Sequence, residues 1–397
     1  MNAHAANQAR TFLSLFRELH PHIRTDRSLP ARIHQRLARE RRFGSRDRRL
    51  YREILYTAIR HLPWIEAALA RSDDDAIRCV AWLAADLSAT RAFRAAFIPP
   101  DWPSACNSVA EKAVLLGDLA KDSLLPEWFR AHCPEAFVPP NLDVLNTRAP
   151  LWLRLQTDTP HAVFAEFTRL GWPWKTSSAL PDAVELLQEV DVTQTDAYAR
   201  GLIEIQDLGS QLILATVRPE PGRRWLDACA GAGGKTLQLA RLLGPTGQVI
   251  AHDIRPAALA ELQTRATRAG LQNVSISSIP DGLFDGVLVD APCSGSGTWR
   301  RSPHLKWCTT EADIAAAAKL QRELLARFAT YVRPGGSLVY ATCSLSRTEN
   351  DEVVASFLAA HPEFTPAAPA RAILPAMNNT DGFFAASFSR TELSPKC

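Results

Sequence analysis

The sequence predicts an α/β protein in which a doubly wound, parallel-type sheet follows a helical bundle and a small α/β unit. From about residue 207 to the end, strand and helix patterns alternate, which is typical of a parallel sheet with helices on both faces. Residues 1 to about 135 show only helical periodicity, and short strand patterns lie between the two regions. At 397 residues, with 46% hydrophobic and 22% charged residues, the chain can form two or three domains with buried cores.

The composition also excludes several classes of protein. No run approaches the ~18 apolar residues of a membrane span, and the first ten residues lack the apolar stretch of a signal peptide. Eight cysteines are spread along the chain without a CxxC pair or histidines at zinc-ligand spacing. We therefore expect a cytoplasmic protein with reduced thiols, no metal and no membrane contact, and we expect it to be a monomer.

The helical bundle has its clearest helix near Tyr51. Apolar side chains recur there every three or four residues from Tyr51 to Ile65, which places them on one face of a helix. Gly44 and Ser45 supply the break and the N-cap before it, and Pro63 kinks or ends it. Further helical patterns occupy Ala76–Leu87, Val109–Leu119 and Pro126–Cys133.

Arginine is abundant and is concentrated in this bundle. Seven of the 45 basic residues are lysines, which leaves 38 arginines in a chain of net charge +3. Between Arg24 and Arg52 there are eleven arginines and three acidic residues, a local surplus of eight positive charges. A biased genome composition or a solvated helix face would each explain arginine runs. The concentration in one segment favours an RNA-binding surface, because the guanidinium fork suits phosphates.

A linker and a small α/β unit follow the bundle. The proline-containing stretch Pro134–Pro150 is typical of a linker. Leu151–Thr157 alternates like a strand, and Thr159-Pro160 starts a helix that ends at Gly171. Two more strand-like runs occupy Val184–Val190 and Leu202–Gln206.

The first motif of the sheet region is WLDACAGAGGKT at residues 225–236. An apolar strand leads through small residues into a helix that opens at Gly234 or Lys235, and this lets backbone N–H groups approach a ligand. It is not a Walker A loop, because Cys229 stands where that loop needs its first glycine. The next strand, Val249–Asp253, ends in an acid that can accept hydrogen bonds from a ribose. These elements fit both a dinucleotide site and an S-adenosylmethionine site.

Two cysteines follow the ends of two later strands. The strand Phe284–Asp290 leads into DAPCS, which contains Cys293, and the strand Ser337–Ala341 leads into ATCS, which contains Cys343. Ligands of a parallel sheet bind beyond the carboxyl ends of its strands, so both cysteines belong to one crevice beside the nucleotide-type site. One such cysteine is usually a small buried hydrophobe. Two of them at strand ends, one close after an aspartate, favour a catalytic pair.

These motifs resemble those of the Sun/Fmu (RsmB-type) family of RNA cytosine-C5 methyltransferases. The matching stretches are QDLGSQ (206–211), DACAGAGGKT (227–236), DAPCSGSGTWRR (290–301), YATCS (340–344) and TDGFF (380–384). The bundle, with FGSRDR at 43–48, resembles the NusB-like domain of the family's bacterial ribosomal branch. The resemblance implies a Rossmann-like class I methyltransferase domain at 207–397, an RNA-binding α/β subdomain at 145–206 and a NusB-like RNA-binding domain at 1–138.

The resemblance also implies a reaction. Such an enzyme transfers a methyl group from S-adenosylmethionine to C5 of a cytosine in RNA, with 16S ribosomal RNA expected and transfer RNA as the alternative. C5 is a poor nucleophile until a thiolate adds to C6. By resemblance, Cys343 is that nucleophile, Cys293 assists release, Asp290 holds the base, and Lys235 lies near Asp290 and the cofactor.

The resemblance extends to binding residues. The expected cofactor-binding residues are Cys229, Ala230, Gly231, Ala232, Gly233, Gly234, Lys235, Asp253 and Asp290. The expected RNA contacts are Arg46, Arg48, Arg49, Arg300 and Arg301. Three positions depart from the family pattern: Gly231-Ala232 replaces Ala-Pro, Gln156 replaces an asparagine, and Ser277-Ser278 stand where an acid near the adenine is expected.

Other activities fit these motifs less well. A DNA cytosine methyltransferase would use Cys293 of the Pro-Cys pair, but that class lacks the ATCS motif. An amino-group methyltransferase carries Asn/Asp-Pro-Pro-Tyr/Phe where this chain has DAPC, and a NAD-linked dehydrogenase leaves the second cysteine unexplained. A non-catalytic RNA-binding assembly factor on this fold would need a broken cofactor loop or a missing cysteine, and the sequence has neither.

Overall fold

The computed structural model describes residues 3–104, 106, 108–117 and 119–392, and Cys397 lies outside them. These residues form two compact units. The helical unit holds the described residues up to Arg148 together with Thr298–Thr310, and the sheet unit holds Ala149–Gly297 and the described residues from Glu311 onward. The three-domain division predicted above stays a prediction. None of the described helices is long and apolar enough to cross a membrane.

The helical unit is built from amphipathic helices, as the periodicity predicts. The helix predicted around Tyr51 is two helices, because the chain leaves helical geometry at His61 and restarts with Pro63 in its first turn, where a missing N–H costs nothing. Gly44, rather than Ser45, is the N-cap. The helices are α1 (Ala3–Leu19), α2 (Leu29–Arg39), α3 (Ser45–Arg60), α4 (Leu62–Arg71), α5 (Asp73–Leu83), α6 (Arg91–Phe97), α7 (Val109–Leu115), α8 (Asn141–Leu145) and, from the later segment, α14 (Leu305–Cys308).

The prediction of a linker at Pro134–Pro150 is wrong for most of this segment. It contains a 3-10 turn at Pro134–Phe137 and helix α8. Phe137, Leu142 and Leu145 are buried, so apolar packing holds this segment in the helical unit. The helix predicted at Pro126–Cys133 is a 3-10 turn at Glu127–Ala131.

The segment Thr298–Thr310 contributes to the core of the helical unit. The ring of the fully buried Trp299 lies 4.5 Å from that of Phe129. The buried Lys306 ammonium donates to the Arg60 carbonyl at 2.8 Å and to the Asn146 side chain at 2.9 Å. This segment, which follows the DAPCS motif in sequence, is therefore packed as part of the helical unit.

A four-stranded antiparallel sheet opens the sheet unit, and we call it the small sheet. Its strand order is β2-β3-β1-β4. Leu153 packs with Val163 and Phe167 on one face, and Trp152 and Arg154 alternate to the other. Its elements are β1 (Leu151–Leu155), α9 (His161–Arg169), β2 (Trp174–Thr176), β3 (Ala183–Leu186), α10 (Asp196–Ala199) and β4 (Ile203–Ile205).

The main sheet has the order β10-β12-β9-β8-β5-β6-β7, with β11 paired to β12. Its central strands β5 to β9 are parallel, which confirms the predicted parallel-type sheet, and β10 to β12 add an antiparallel edge. The strands are β5 (Arg224–Asp227), β6 (Gln248–Ala251), β7 (Val274–Ile276), β8 (Phe284–Asp290), β9 (Val332–Thr342), β10 (Phe364–Pro366), β11 (Arg371–Ile373) and β12 (Phe383–Arg390). The helices are α11 (Leu208–Val217), α12 (Gly234–Leu243), α13 (Pro256–Arg268), α15 (Glu311–Ala329), α16 (Asp351–Ala360) and α17 (Pro375–Asn378).

The strand order reverses between β5 and β8. From β5 the chain proceeds to β6 and β7 on one side, and then crosses to β8 and β9 on the other. Such a reversal opens a crevice at the carboxyl ends of the two central strands. Asp227 ends β5 and Asp290 ends β8, so this edge of the sheet receives the motifs found in the sequence.

Candidate active site

The glycine-rich loop connects β5 to α12, as predicted, and α12 begins at Gly234. Gly231 and Gly233 have φ values of 54° and 90°, in the left-handed region that favours glycine. A Cβ on Gly233 would lie 2.7 Å from the side chains of Leu237 and Leu262, so no larger residue fits. The N–H groups of the first turn of α12 have no acceptors within the helix, which suits a negatively charged group.

Asp227, where this loop starts, is buried, with 1% of its surface exposed. Burial raises its pKa to about 7, against the effect of a hydrogen bond from the Thr236 hydroxyl at 2.7 Å. Cys229, two residues further on, is a partly buried thiol whose pKa is also raised by its loss of contact with water. At the beginning of the loop, burial therefore destabilises the ionised forms of both Asp227 and Cys229.

Asp253 follows β6 and closes the other side of the loop. Its carboxylate accepts from the Gly231 N–H at 2.8 Å and from the backbone and guanidinium of Arg255 at 2.9 Å. The Arg255 hydrogen bonds lower the pKa of Asp253 to about 2, so the acid is ionised. Asp253, the residue predicted to bind the ribose, thus lies against the predicted loop. Its ion-pair partner Arg255 was missed by the sequence analysis.

Lys235 and Asp290 come together from different motifs. The Lys235 ammonium lies 2.8 Å from Asp290 Oδ2, and it is 5.5 Å from the centre of the Phe383 ring, which belongs to the TDGFF motif. Lys235 is buried, whereas the Asp290 side chain remains 30% exposed. The acid at the end of β8 therefore has a fixed cation behind it and a surface open to a ligand.

The two predicted cysteines are neighbours. Cys293 Sγ and Cys343 Sγ lie 3.3 Å apart, because β8 and β9 pair in parallel with Asp290 opposite Ala341. Both side chains are partly exposed. The hydrogen bond with Cys343 and burial raise the pKa of Cys293 well above its usual range, so Cys293 keeps its proton.

A buried carboxylate lies beneath the cysteine loops, and the sequence analysis missed it. Glu349 has no exposed surface. It accepts from the Ser294 N–H at 2.8 Å, from the hydroxyls of Ser294 and Ser344 at 2.5 Å each, and from Gln321 at 3.0 Å. Each serine directly follows one cysteine. That shared Cys-Ser pattern was the available signal, because two serines beside one crevice need a buried acceptor.

Backbone contacts also join the two cysteine loops. The Gly297 N–H donates to the Cys343 carbonyl at 2.9 Å, and the Gly297 carbonyl accepts from the Gly382 N–H at 2.8 Å. A side chain on Gly297 would overlap the Gly382 carbonyl. The glycines of GSG and TDG therefore permit three loops to pack backbone against backbone.

The arginines of the arginine-rich segment fall into two groups, those that form ion pairs and those that do not form them with the described residues. Four of its arginines form ion pairs of 2.7 to 3.2 Å with acidic residues: Arg24 with Glu66, Arg32 with Asp26, Arg36 with Glu18 and Arg42 with Glu40. Five others are exposed and have no ion pair with the residues that the structure describes: Arg39, Arg41, Arg46, Arg48 and Arg49. The three arginines of α3 predicted to contact RNA thus belong to the exposed, unpaired group.

Arg300 and Arg301 differ from each other. Arg300 is buried, and its guanidinium donates to the Thr147 hydroxyl at 2.9 Å and to the Arg148 carbonyl at 3.0 Å. Arg301 is exposed. The RNA contacts predicted for both stay predictions, and the hydrogen bonds of Arg300 give it a packing role within the helical unit.

Ser277, at the position where an acid near the adenine was expected, directly follows the end of β7. Its carbonyl accepts from the His252 ring at 3.1 Å, and its hydroxyl donates to the Ile279 carbonyl at 2.7 Å. The side chain of Ser277 is thus committed to its own turn. Across the described residues there is also no cluster of three or more side chains able to hold a metal ion.

Comparison with known proteins relates this chain to one family. Residues 214–389 match the family model described as 16S rRNA methyltransferase RsmB/F. The chain is 33% identical over 296 residues to ribosomal RNA small subunit methyltransferase B of Klebsiella pneumoniae subsp. pneumoniae, covering 69% of this chain and 68% of that one. With the protein of the same name from Vibrio cholerae serotype O1, it shares 37% over 267 residues, or 62% and 60% of the two chains.

A solved structure has the same fold. A methyltransferase homologue from Pyrococcus horikoshii superimposes with a TM-score of 0.59 at 25% identity, over 72% of this chain and 100% of the other. The family found by comparison is the one that the cysteine motifs resemble.

Proposed function

The chain belongs to the RsmB/F family of 16S rRNA methyltransferases, and from this premise we propose that Cys343 and Cys293 carry its reaction. The enzyme uses S-adenosylmethionine, the methyl donor of this family, and acts on RNA. The proposed product is 5-methylcytosine in 16S ribosomal RNA, the RNA named in the description of the family model.

The 3.3 Å between the two sulfur atoms is the observation that carries this assignment. Methylation of cytosine at C5 needs a nucleophile at C6 and then a group that helps the adduct to break down. The Cys293 thiol lies close enough to Cys343 to donate a hydrogen bond to the sulfur atom that attacks C6 and later leaves it. Cys343 is assigned as the nucleophile because it stands in the ATCS motif, which DNA cytosine methyltransferases lack.

The residues around the glycine-rich loop suit S-adenosylmethionine. The N–H groups at the start of α12 suit its carboxylate, and the ionised Asp253 suits its ribose hydroxyls. When bound, the cofactor supplies an electrophilic methyl group. Asp253→Ala is expected to weaken cofactor binding at least about tenfold in calorimetry, because a charge-assisted hydrogen bond is lost. Unchanged affinity in a folded variant would contradict this role of Asp253.

The protein's own groups act on the cytosine in order. The Cys343 sulfur bonds to C6, which makes C5 electron-rich, while Asp290 holds N3 or the exocyclic amine. Once C5 carries the methyl group, water takes the C5 proton, and the electron pair of that C–H bond forms the C5–C6 double bond again. The Cys343–C6 bond breaks in the same step, and its electron pair leaves with the Cys343 sulfur as a thiolate. Cys293 assists this release. Attack on C6 requires an unstacked nucleotide, either in a loop or flipped out of a helix.

The helical unit is proposed to hold the RNA. Its residues Arg46, Arg48 and Arg49 are exposed and form no ion pair with the described residues, so they suit phosphate groups. The domains proposed for RNA binding are residues 1–138, in the helical unit, and residues 145–206, most of which lie in the sheet unit. Action as a monomer in the cytoplasm completes the proposal, because ribosomal RNA is a cytoplasmic substrate. Sedimentation of the purified protein tests the monomer.

Bisulfite mapping of total RNA from cells with and without the gene tests the function. Loss of one 5-methylcytosine from 16S RNA supports the proposal, and its restoration should require Cys343. Loss of a signal from transfer RNA would replace the substrate with the alternative one. No lost signal, with RNA binding retained, would favour the non-catalytic assembly factor.

A further inference from the structure

Two arginines donate hydrogen bonds to backbone carbonyls of the glycine-rich loop between β5 and α12. Arg265 Nη1 donates to the Ala232 carbonyl at 2.6 Å, and Arg154 Nη1 donates to the Gly234 carbonyl at 2.8 Å. Arg265 lies on α13 of the main sheet, whereas Arg154 lies on β1 of the small sheet. The loop is therefore gripped at two carbonyls, one on each side of Gly233.

Both arginines are anchored in the small sheet. Arg154 is 2% exposed and also donates to the Gln206 and Gln156 side chains, the latter at 3.1 Å. Glu204 on β4 stands opposite Arg154 in the strand register and is likewise 2% exposed. Its carboxylate accepts from Arg265 at 2.8 Å. A buried guanidinium or carboxylate is costly unless it is paired, so these groups constrain one another.

These contacts bear on the N–H groups of the loop through peptide geometry. Because a peptide unit is planar, a fixed carbonyl also fixes the orientation of the following N–H. The Gly234 carbonyl thus sets the N–H of Lys235 in the first turn of α12. The Ala232 carbonyl sets the N–H of Gly233, which donates to the Ala230 carbonyl at 2.9 Å and so closes the turn of the loop. Gly233 has the left-handed conformation on which the loop depends.

We propose that the small sheet is part of the cofactor site, with Arg154, Glu204 and Arg265 as positioning residues for the loop that receives S-adenosylmethionine. This inference rests on the proposed function of that loop. It gives the small sheet a role in cofactor affinity that is independent of any contact with RNA. Loss of a positioning residue is expected to raise the KM for S-adenosylmethionine and to leave the KM for RNA unchanged.

The chain offers a matched pair for the test. Arg268 also donates to Glu204, at 2.5 Å, but it has no hydrogen bond to the loop among the described residues. Arg265→Met and Arg268→Met each remove one ion pair with the same buried acid, so both should lower the melting temperature. Only Arg265→Met should weaken S-adenosylmethionine binding in calorimetry, by about tenfold, the loss typical of one charge-assisted hydrogen bond. Arg268→Met should stay within about twofold of the wild type.

Arg154 provides a second comparison. Arg154→Lys keeps the charge but has a single donor nitrogen, so it cannot bind Gly234 as Nη1 does and Gln156 as Nε does at the same time. We expect it to recover part of the cofactor affinity that Arg154→Met loses. If Arg265→Met does not fold, Arg265→Lys takes its place in the comparison with Arg268→Met. The lysine keeps the ion pair with Glu204 but lacks the second nitrogen that donates to the Ala232 carbonyl.

The outcomes separate this inference from the proposed function. If the wild-type protein does not bind S-adenosylmethionine, the proposed function fails. If it binds and both members of the matched pair bind equally well, or lose affinity equally, the positioning role is overturned. A rise in the KM for RNA that matches the rise for the cofactor would also overturn it.

Discussion

The carboxyl edge of the main sheet and the arginine-rich surface of α2 and α3 are built in opposite ways. At the sheet edge, Glu349 alone accepts four hydrogen bonds, and Lys235 is locked against Asp290. On the helices, five arginines are exposed and have no ion pair with the described residues. One region fixes its side chains before a substrate arrives, and the other leaves them free.

The difference follows from what each region is proposed to recognise. Bond formation at C6 requires the sulfur atom to be positioned relative to the carbon with an error of no more than roughly a few tenths of an ångström. Preorganised side chains lower the entropic cost of reaching that geometry. Phosphates are spaced along a flexible RNA, so mobile cations can bind them without fixed geometry. The comparison teaches that single substitutions at the sheet edge should abolish methyl transfer, whereas substitutions on the helices should weaken RNA binding by small steps.

Cys343→Ala should have the largest effect. Without the nucleophile, methyl transfer should fall by at least about 1,000-fold, the scale seen when a nucleophile is removed. RNA affinity should not change, because the arginine surface is untouched. Incorporation of labelled methyl groups and a filter-binding assay measure the two quantities. Activity near the wild-type level would end the cysteine mechanism.

Cys293→Ala should stop turnover at a different point. Attack by Cys343 and methylation should still occur, but release should stall and leave RNA covalently bound. A denaturing gel would show a slow-migrating band that depends on S-adenosylmethionine and disappears in the Cys293/Cys343 double variant. If the band appears instead with Cys343→Ala, the two roles are reversed.

Asp227 should make stability depend on pH. Its pKa rises from the ordinary 3.8 to about 7 on folding, so the folded state holds this proton more tightly than the unfolded chain. The corresponding stability is complete below the unfolded value and is lost as the pH rises from about 4 to about 7, by up to about 4 kcal/mol. Urea unfolding from pH 5 to 8 measures this. Asp227→Asn should flatten the profile, and an equal slope in both proteins would contradict the prediction.

Glu349→Gln should cost less than these changes while still affecting catalysis. A glutamine keeps one oxygen but cannot accept all four hydrogen bonds, so we expect about 2 kcal/mol of lost stability and a lower kcat with an unchanged cofactor KM. Glu352→Gln is the matched control, because Glu352 is exposed and, among the residues that the structure describes, its side chain accepts only from Thr348, at 3.1 Å. If the two variants behave alike, the buried carboxylate does not organise the cysteines.

The sheet edge could be predicted largely from sequence, because strand ends determine where its residues meet. Asp227, Asp290 and Cys343 each follow an apolar run, and parallel strands bring such positions to one edge. Glu349 could not be found this way. It lies six residues beyond Cys343 in an irregular turn, and only the folded arrangement of Ser294 and Ser344 gives it partners.

The helical unit was less predictable, for a physical reason. Composition reports how many arginines a segment has, but not which of them are neutralised by acids elsewhere in the fold. Arg24 looks like Arg48 in the sequence, yet Glu66 on α4 binds it with two hydrogen bonds. Arg300 looks like a surface arginine beside Arg301, yet it is buried. Long-range packing decided both outcomes, and no local pattern encodes it.

The smallest effect, and the sharpest test of the comparison, lies within the arginine surface itself. Replacing Arg46, Arg48 and Arg49 with alanine should weaken RNA binding about tenfold at 0.15 M salt and reduce the salt slope by about two, since roughly 0.7 counterions are released per single-strand phosphate contact. Replacing three paired arginines (Arg24, Arg32 and Arg36) removes the same net charge, so the long-range field changes equally. That control should alter affinity less than threefold, because those guanidiniums already bind Glu66, Asp26 and Glu18. Equal losses in the two triple variants would mean that only the total charge attracts RNA, and unchanged affinity in both would reduce the cluster to a solvated surface.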